Sequence, residues 1–477
     1  MVHHDSSRVN VMPWLLGLAF AAGLLSTPQA QAQHVGCEAT STESFKNYIR
    51  PGWQDIADYP NNQQKLILAS DPQAFRAMTQ HSPYKEAVST TRWNANIDRI
   101  TEQIRKDRQA SYYVPLIING DLTDFGHGNE RKAMQRKMKQ ANASHPGPLM
   151  LPGMGNHDYD QNVGDCTNNG CARDSVCDML MWVKTLSPAS FDYRWDNSKR
   201  THRGSFAYSV DVGRVRVVQL HLDPTYTRHF ETGGGFAHNR KARFSITSAM
   251  DWLERDLKAA SERGQYVIVN LHKRSGWQDN TVRNDRFRKL LEQHNVVAVF
   301  AGHLHNQLGA VSSIGKVPVF QTGAMLAESY LRVTFDWSTY KMHVVPVALG
   351  RTPPATRVVN LQRKPDSPVK VTLYAKAKFT GSRCEVTLKS PQSVNLRTQG
   401  ACSFHPKSAK VSPLPAGQRL CFEKADGSRN RCFSGSLTRA FETANFDLQP
   451  QLPPGMQRTT KGYPMNGHVD RLVYSKP

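Results

Sequence analysis

The sequence predicts an α/β fold built on two packed sheets, followed by a small all-β module stapled by disulfides. Three observations carry that expectation. Between about residues 65 and 348, short apolar runs alternate with amphipathic stretches, the pattern that lays helices on the faces of a sheet. From 317 to 345, apolar runs follow one another without helices, which suggests a second, more antiparallel sheet packed on the first. Beyond a Pro-rich basic stretch, the chain becomes short β-like runs with glycines at the turns and four cysteines.

The chain opens with Arg8 in a short polar start, an apolar run over 13–25 and the small-residue site Ala30-Gln31-Ala32. This reads as a signal peptide over 1–32 with cleavage near Gln33. The run of 13 is too short to cross a hydrocarbon core, which needs about 20 residues. A secreted or periplasmic protein with no transmembrane segment after cleavage is expected. Strands are expected at 65–70, 114–119, 148–152, 215–222, 265–270 and 296–300, and helices at 92–109, 128–143, 248–263 and 283–294. Ser248, with Asp251 three residues on, marks one helix start. Further strands are expected at 317–321, 331–337 and 341–345, a linker at 350–370, and β-runs at 371–374, 385–388 and 418–422. The domains are therefore 33–349 and 371–477.

With 477 residues, 39% hydrophobic and 21% charged, the chain is neither disordered nor a repeat solenoid. Its net charge is +22, and residues 351–477 alone hold 21 Lys and Arg against seven Asp and Glu. That asymmetry makes the C-terminal module the candidate for holding an anionic surface or polymer, such as phospholipid, nucleic acid or acidic glycan. The eight cysteines form two groups, Cys37, Cys166, Cys171, Cys177 and Cys384, Cys402, Cys421, Cys432. An even count in an exported chain favours disulfides, and bridges are expected within each group. Their connectivity is not legible.

Five segments put metal-type ligands at the ends of expected strands: Ser70-Asp71-Pro72-Gln73, Gly120-Asp121-Leu122-Thr123-Asp124, Gly155-Asn156-His157-Asp158, Asn270-Leu271-His272 and Gly302-His303-Leu304-His305. One such segment would be an ordinary turn or cap. Five together would be costly to bury without a shared partner. Asp71, Asp121, Asn156, His272, His303 and His305 supply oxygen and imidazole donors and no thiolate, a set suited to two divalent ions, with Mn, Fe and Zn all admissible. Two such ions would supply a nucleophile at neutral pH and clamp the oxygens of an in-line displacement, which points to phosphoester hydrolysis.

The order Asp-x-Gln, Gly-Asp-x-x-Asp, Gly-Asn-His-Asp, His and Gly-His-x-His resembles the calcineurin-like metallophosphoesterase superfamily over 66–346. The resemblance implies a two-sheet αββα sandwich. It implies that Asp71, Gln73, Asp121 and His305 surround one metal, and that the bridging Asp121 with Asn156, His272 and His303 surrounds the other. His157 would contact the phosphate and protonate the leaving group, oriented by Asp124. Gly120, Gly155, Gly302 and Gly153 would let the backbone turn beside the site. Gln73 departs from the usual Asp-x-His, and its neutral amide is a weaker donor than imidazole. The Asp-x-Gln form is similar to a branch that includes protein phosphatases, which raises phosphomonoesters above other substrates. Purple acid phosphatases carry a tyrosine where Asp124 stands, so a charge-transfer iron site is not expected.

Lys273 and Arg274 follow His272 and could reach phosphate oxygens. His221 and Asp223 read as a structural polar pair, and the Gly-rich stretch 230–238 as a mobile loop bordering the site. Tyr374, Phe379 and Gly381 match the hairpin signature of βγ-crystallin-type domains, which the C-terminal module resembles. The expected activity is hydrolysis of phosphomonoesters by metal-bound hydroxide. The alternatives are a phosphodiesterase on nucleotides or lipid head groups, and an inactive phosphoesterase-fold binding protein.

Overall fold

Strand Tyr266–Leu271 is buried at every position, and its side chains divide between two cores. Ile268 joins Leu66, Ile117 and Phe300 in one, while Val267, Val269 and Leu271 join Leu253, Leu257 and Leu291 in the other. A strand apolar on both faces must be covered on both, by a second sheet on one side and helices on the other. The computed structural model has this layering. It describes Cys37 and residues 62–79, 82–109, 114–142, 149–232, 242–276, 281–362, 368–389, 392–396, 402, 404–412, 419–424, 430–434, 441–443, 469 and 471–475. The segment read as a signal peptide lies outside these residues, as does most of the Gly-rich loop.

The first sheet runs, in order across it, Arg357–Asn360, Lys341–Ala348, Ser329–Asp336, Gln63–Ala69, Leu116–Ile118, Met150–Pro152. The second runs Leu308–Ile314, Val317–Thr322, Val296–Ala301, Tyr266–Leu271, Val215–Gln219, Tyr208–Val212, Ser190–Phe191. In the first sheet the parallel pairs lie at the end that closes on Met150–Pro152, with antiparallel strands on the other side, whereas in the second they form the middle, with antiparallel strands at both edges. This corrects one expectation: the helix-free runs do not make a sheet of their own. Val317–Thr322 turns back from Leu308–Ile314 and joins the second sheet, whereas Ser329–Asp336 pairs with Gln63–Ala69 in the first. Within the stretch read as a linker, Arg357–Asn360 adds the edge strand of the first sheet.

Helices Thr90–Gln109, Gly128–Asn142, Met250–Glu262 and Thr281–Gln293 stand where the periodicity put them. The first buries Trp93, Ile97, Ile100 and Ile104, spaced three and four apart on one face. The Ser248 hydroxyl accepts from Met250 N at 3.3 Å one residue ahead of the third helix, whose N-cap is Ala249. A further helix, Cys166–Leu186, was not expected, nor was the four-stranded sheet Arg228–Thr232, Ala242–Ile246, Thr201–Gly204, Arg194–Asp196.

Disulfides join Cys37 to Cys177, Cys166 to Cys171 and Cys384 to Cys402. Cys421 is also disulfide-bonded, and Cys432 stands opposite it in register. The pairing therefore stays within each group. After residue 368 the chain forms two four-stranded antiparallel sheets around a separate core that includes Val371, Leu373, Leu420, Phe422 and Tyr474. There Tyr374 meets Phe379 edge-on at 5.8 Å, and Ser408 Oγ accepts from Phe379 N at 3.0 Å.

Candidate metal centre

Every expected ligand lies just past the C-terminal end of a parallel strand, where an open α/β sheet collects its loops. Asp71 and Gln73 follow Gln63–Ala69, Asp121 follows Leu116–Ile118, and Asn156 follows Met150–Pro152. His272 follows Tyr266–Leu271, and His303 and His305 follow Val296–Ala301. The first sheet thus supplies the acidic and amide groups and the second the imidazoles. The backbone is bent sharply to present them: Asp71, Gln73, Asp121 and His303 all have positive φ. Glycines make the approach possible. A Cβ on Gly120, whose φ is +86°, would lie 2.7 Å from Gly155 N and 2.8 Å from His272 Nδ1. A Cβ on Gly155 would lie 2.6 Å from Asp121 N.

Two clusters result. The ligand atoms of Asp71, Asp121 and His305 lie within 4.8 Å of one another, and so do those of Asp121, His272 and His303. Asp121 belongs to both. Its Oδ2 lies 3.1 Å from His272 Nε2 and takes a 3.3 Å hydrogen bond from Gln73 Nε2, while Oδ1 accepts from His157 N at 2.9 Å. His272 Nε2 also lies 3.1 Å from Asn156 Oδ1, and its Nδ1 contacts Asn119 O at 2.8 Å. On the other side, His305 Nε2 is 3.1 Å from Asp71 Oδ1, and Asp71 Oδ2 accepts from His303 N at 3.0 Å.

The donor set fits divalent ions. Gln73 Oε1, the atom that would coordinate, is buried without a hydrogen-bond partner among the described residues. Without a metal, neighbouring charges dominate the titration. Burial would raise the Asp121 carboxyl, but the charges of His272 and His157 outweigh it and hold it well below the usual carboxylate range. Burial would lower His272, yet Asp121 and Asp71 push it up to about 9. His305 is likewise pushed to about 10 against its burial, by Asp71 and Glu86. His303 goes the other way, to about 4, through burial and the charge of His272. A third group, His127 with Cys166 and Cys171, offers no thiolate because the cysteines are bonded to each other.

His157 is held beside the pair. Its Nδ1 lies 2.7 Å from Asp124 O and 3.6 Å from Asp124 Oδ1, which leaves Nε2 as the ring nitrogen not held by Asp124. Asp158 braces the loops beneath. Its carboxylate accepts from Leu122 N, Thr123 N, Thr123 Oγ1 and Gly155 N at 2.8–3.1 Å. It stood within a recognised segment, but no role was assigned to it from sequence. Lys273 and Arg274 are half-buried, and Arg274 Nη2 donates to Gln307 Oε1 at 3.2 Å. Arg274 lines an open cleft of about 540 Å³ with Asn306, Gln307, Arg351 and Thr352. His221 sits behind the site as a neutral ring held to about 4 by burial, and its backbone O accepts from His272 N at 2.7 Å. Asp223 instead accepts from Thr225 N at 2.8 Å. Two residues with no sequence signal also reach the site: Glu86 contacts His305 Nδ1, and Arg76 Nε donates to Asp124 Oδ1 at 2.6 Å.

The family model for calcineurin-like phosphoesterases matches residues 65–307. Among solved structures, the chain is similar to a purple acid phosphatase from yellow lupin (Lupinus luteus) seeds at 11% identity, covering 63% of this chain and 54% of that one, with a TM-score of 0.39. It is similar to a 5'-nucleotidase from Candida albicans at 14% identity, covering 56% and 47%, with a TM-score of 0.33. It is also similar to a protein serine/threonine phosphatase from Saccharomyces cerevisiae at 11% identity, covering 63% and 81%, with a TM-score of 0.26. The chain thus spans little more than half of the lupin enzyme and under half of the nucleotidase. No curated protein matches the sequence.

Proposed function

Since the chain belongs to the calcineurin-like phosphoesterase family, we propose that it is an exported phosphomonoesterase working with two divalent ions. The observation that carries the reading is the sharing of Asp121 between two ligand clusters, with His157 hydrogen-bonded to the same carboxylate. One ion would be held by Asp71, Gln73, Asp121 and His305, the other by Asp121, Asn156, His272 and His303. Bound there, such ions supply an acidified water and positive charge against the phosphoryl oxygens.

The remaining chemistry belongs to the chain's own residues. His157 keeps Nδ1 against Asp124, so Nε2 is the ring nitrogen that would pass a proton to the departing alkoxide. Lys273 and Arg274 offer cations to the substrate, and the cleft that Arg274 shares with Arg351 favours an anionic ester. The basic C-terminal module would hold the enzyme against an anionic surface or polymer, an attachment that salt should weaken.

The test is hydrolysis of p-nitrophenyl phosphate and of bis-p-nitrophenyl phosphate by protein stripped of metal and reloaded with Mn, Zn or Fe, beside Asp121→Asn. Metal-dependent turnover that favours the monoester and disappears in the variant is expected. A preference for the diester would make it a phosphodiesterase, and metal binding without turnover on either would favour a binding protein on this scaffold.

A further inference from the structure

Directly after the Asp71–Gln73 loop the chain forms a hairpin, Arg76–Thr79 with Ser82–Val88. Its register pairs Arg76 with Val88 and Met78 with Glu86, so Arg76 and Glu86 are diagonal neighbours on one face. The Gln73–Ala74 segment that leads into the hairpin is tied to the Asp121 loop. Gln73 N donates to Asp121 O at 3.0 Å, Ala74 N to Leu122 O at 3.3 Å, and Asp124 N to Ala74 O at 2.8 Å. The two side chains therefore stand on a base fixed to the groups they touch.

Those contacts run unbroken across the site. Asp71 Oδ1 meets His305 Nε2 at 3.1 Å, and His305 Nδ1 meets Glu86 Oε1. Glu86 Oε2 lies 3.5 Å from Arg76 Nη1, Arg76 Nε donates to Asp124 Oδ1 at 2.6 Å, and Asp124 O receives His157 Nδ1 at 2.7 Å. A carboxylate on the far nitrogen of a ligating imidazole fixes both tautomer and ring orientation. With Nδ1 held by Glu86, Nε2 is the nitrogen left to face Asp71 and a metal held there. Arg76 holds two carboxylates with separate nitrogens, a task for which a guanidinium fork is built and an ammonium is not. Partly exposed ion pairs contribute little to stability, so the consequence to expect is orientation.

We propose that Glu86 and Arg76 are positioning residues: Glu86 orients His305 toward the Asp71 half of the metal site, and Arg76 ties that half to the Asp124–His157 pair. The first part needs only the metal site, while the second rests on His157 as proton donor.

The experiment uses the full chain, with Mn(II) titrated into metal-free protein by calorimetry and each variant's thermal midpoint recorded. Glu86→Ala should weaken one of two Mn(II) sites by about 10–100-fold and spare the other, with Glu86→Gln recovering part of the loss. Unchanged sites, or both sites weakened equally, would overturn the role of Glu86. If Glu86→Ala does not fold, Glu86→Gln alone must still weaken one site selectively.

Arg76→Met should slow an alkyl phosphate more than p-nitrophenyl phosphate, because only the poor leaving group depends on a well-placed acid, with Arg76→Lys intermediate. Equal slowing of both esters would remove Arg76 from this role. If the wild-type protein hydrolyses no ester, the phosphoesterase reading and the Arg76 part fail together. The Mn(II) titration still decides Glu86.

Discussion

Replacing Arg216 with Met should destabilise the scaffold without altering the chemistry it carries. Arg216 is 2% exposed and lies on strand Val215–Gln219, which pairs with the strand leading to His272. Its guanidinium meets Asp211 at 2.5 and 3.0 Å, Asp256 at 2.6 Å and Ser209 Oγ at 3.2 Å. Methionine fills the volume but leaves two buried carboxylates unpaired. Breaking a buried pair in this way costs about 3–5 kcal/mol. Arg263 still acts on both carboxylates, so the lower end, about 3 kcal/mol, applies. For a domain of about 300 residues that lowers the midpoint by about 4–5 °C.

The sign of the pH dependence follows from the same network. Burial already raises the Asp256 carboxyl, against the charge of Arg216, and removal of that charge raises it further. A carboxyl raised in the folded state penalises folding above its folded value, and the penalty fades as pH falls through it. The stability gap between variant and wild type should therefore narrow from pH 7 toward pH 5. Urea unfolding at both pH values measures the gap, with turnover per folded molecule measured alongside. A gap below 1 kcal/mol at pH 7, or one that widens in acid, would refute the reasoning. Adding Asp211→Asn and Asp256→Asn to the variant should restore most of the loss, because no buried charge is then left alone.

Three further outcomes are expected. His157→Ala should keep its metal content, measured by elemental analysis, and lose about 10²–10⁴-fold in turnover of an alkyl phosphate; an unchanged rate would remove it from the mechanism. Loading metal at pH 7 should release about two protons, since His272 at about 9 and His305 at about 10 carry them in the metal-free chain. Affinity should then rise with pH, and calorimetry in buffers of different ionisation enthalpy counts the protons, with none released contradicting the assignment. Asp158→Asn should cost about 1–3 kcal/mol and weaken metal binding as well, because an amide cannot accept all four hydrogen bonds, three of which join the Asp121 loop to the Asn156 loop. A variant less stable but with intact metal affinity would show that these loops hold their shape without it.

The candidate ligands were legible because chemistry restricts such groups. Few residue types bind divalent ions, and parallel strands deliver them in short segments with glycines alongside, so Asp71, Asp121, Asn156, His272, His303 and His305 could be named before their geometry was known. The helix Cys166–Leu186 was hidden for a physical reason. It buries Arg173, Ser175 and Asp178 among its apolar residues, which blurs the period of 3.6. It is instead held by Cys37–Cys177 and by Arg131, which bonds Asp174 and Asp178 at 3.1 Å. Antiparallel returns such as Ser329–Asp336 read correctly as strands, but their sheet membership depends on which edge is open, and no local pattern records that.

Glu86 and Arg76 were illegible for a deeper reason. Any carboxylate that arrives at His305 Nδ1 can orient the ring, whichever segment brings it, so its residue type and sequence position are free in a way that a ligand's are not. Only the register of the hairpin, Met78 opposite Glu86, puts Arg76 and Glu86 on one face. Groups suited to holding a metal follow from what a metal accepts. The groups that aim them follow from which backbone happens to pass nearby, and for this chain that is the segment directly after its one departure from the family pattern, Gln73.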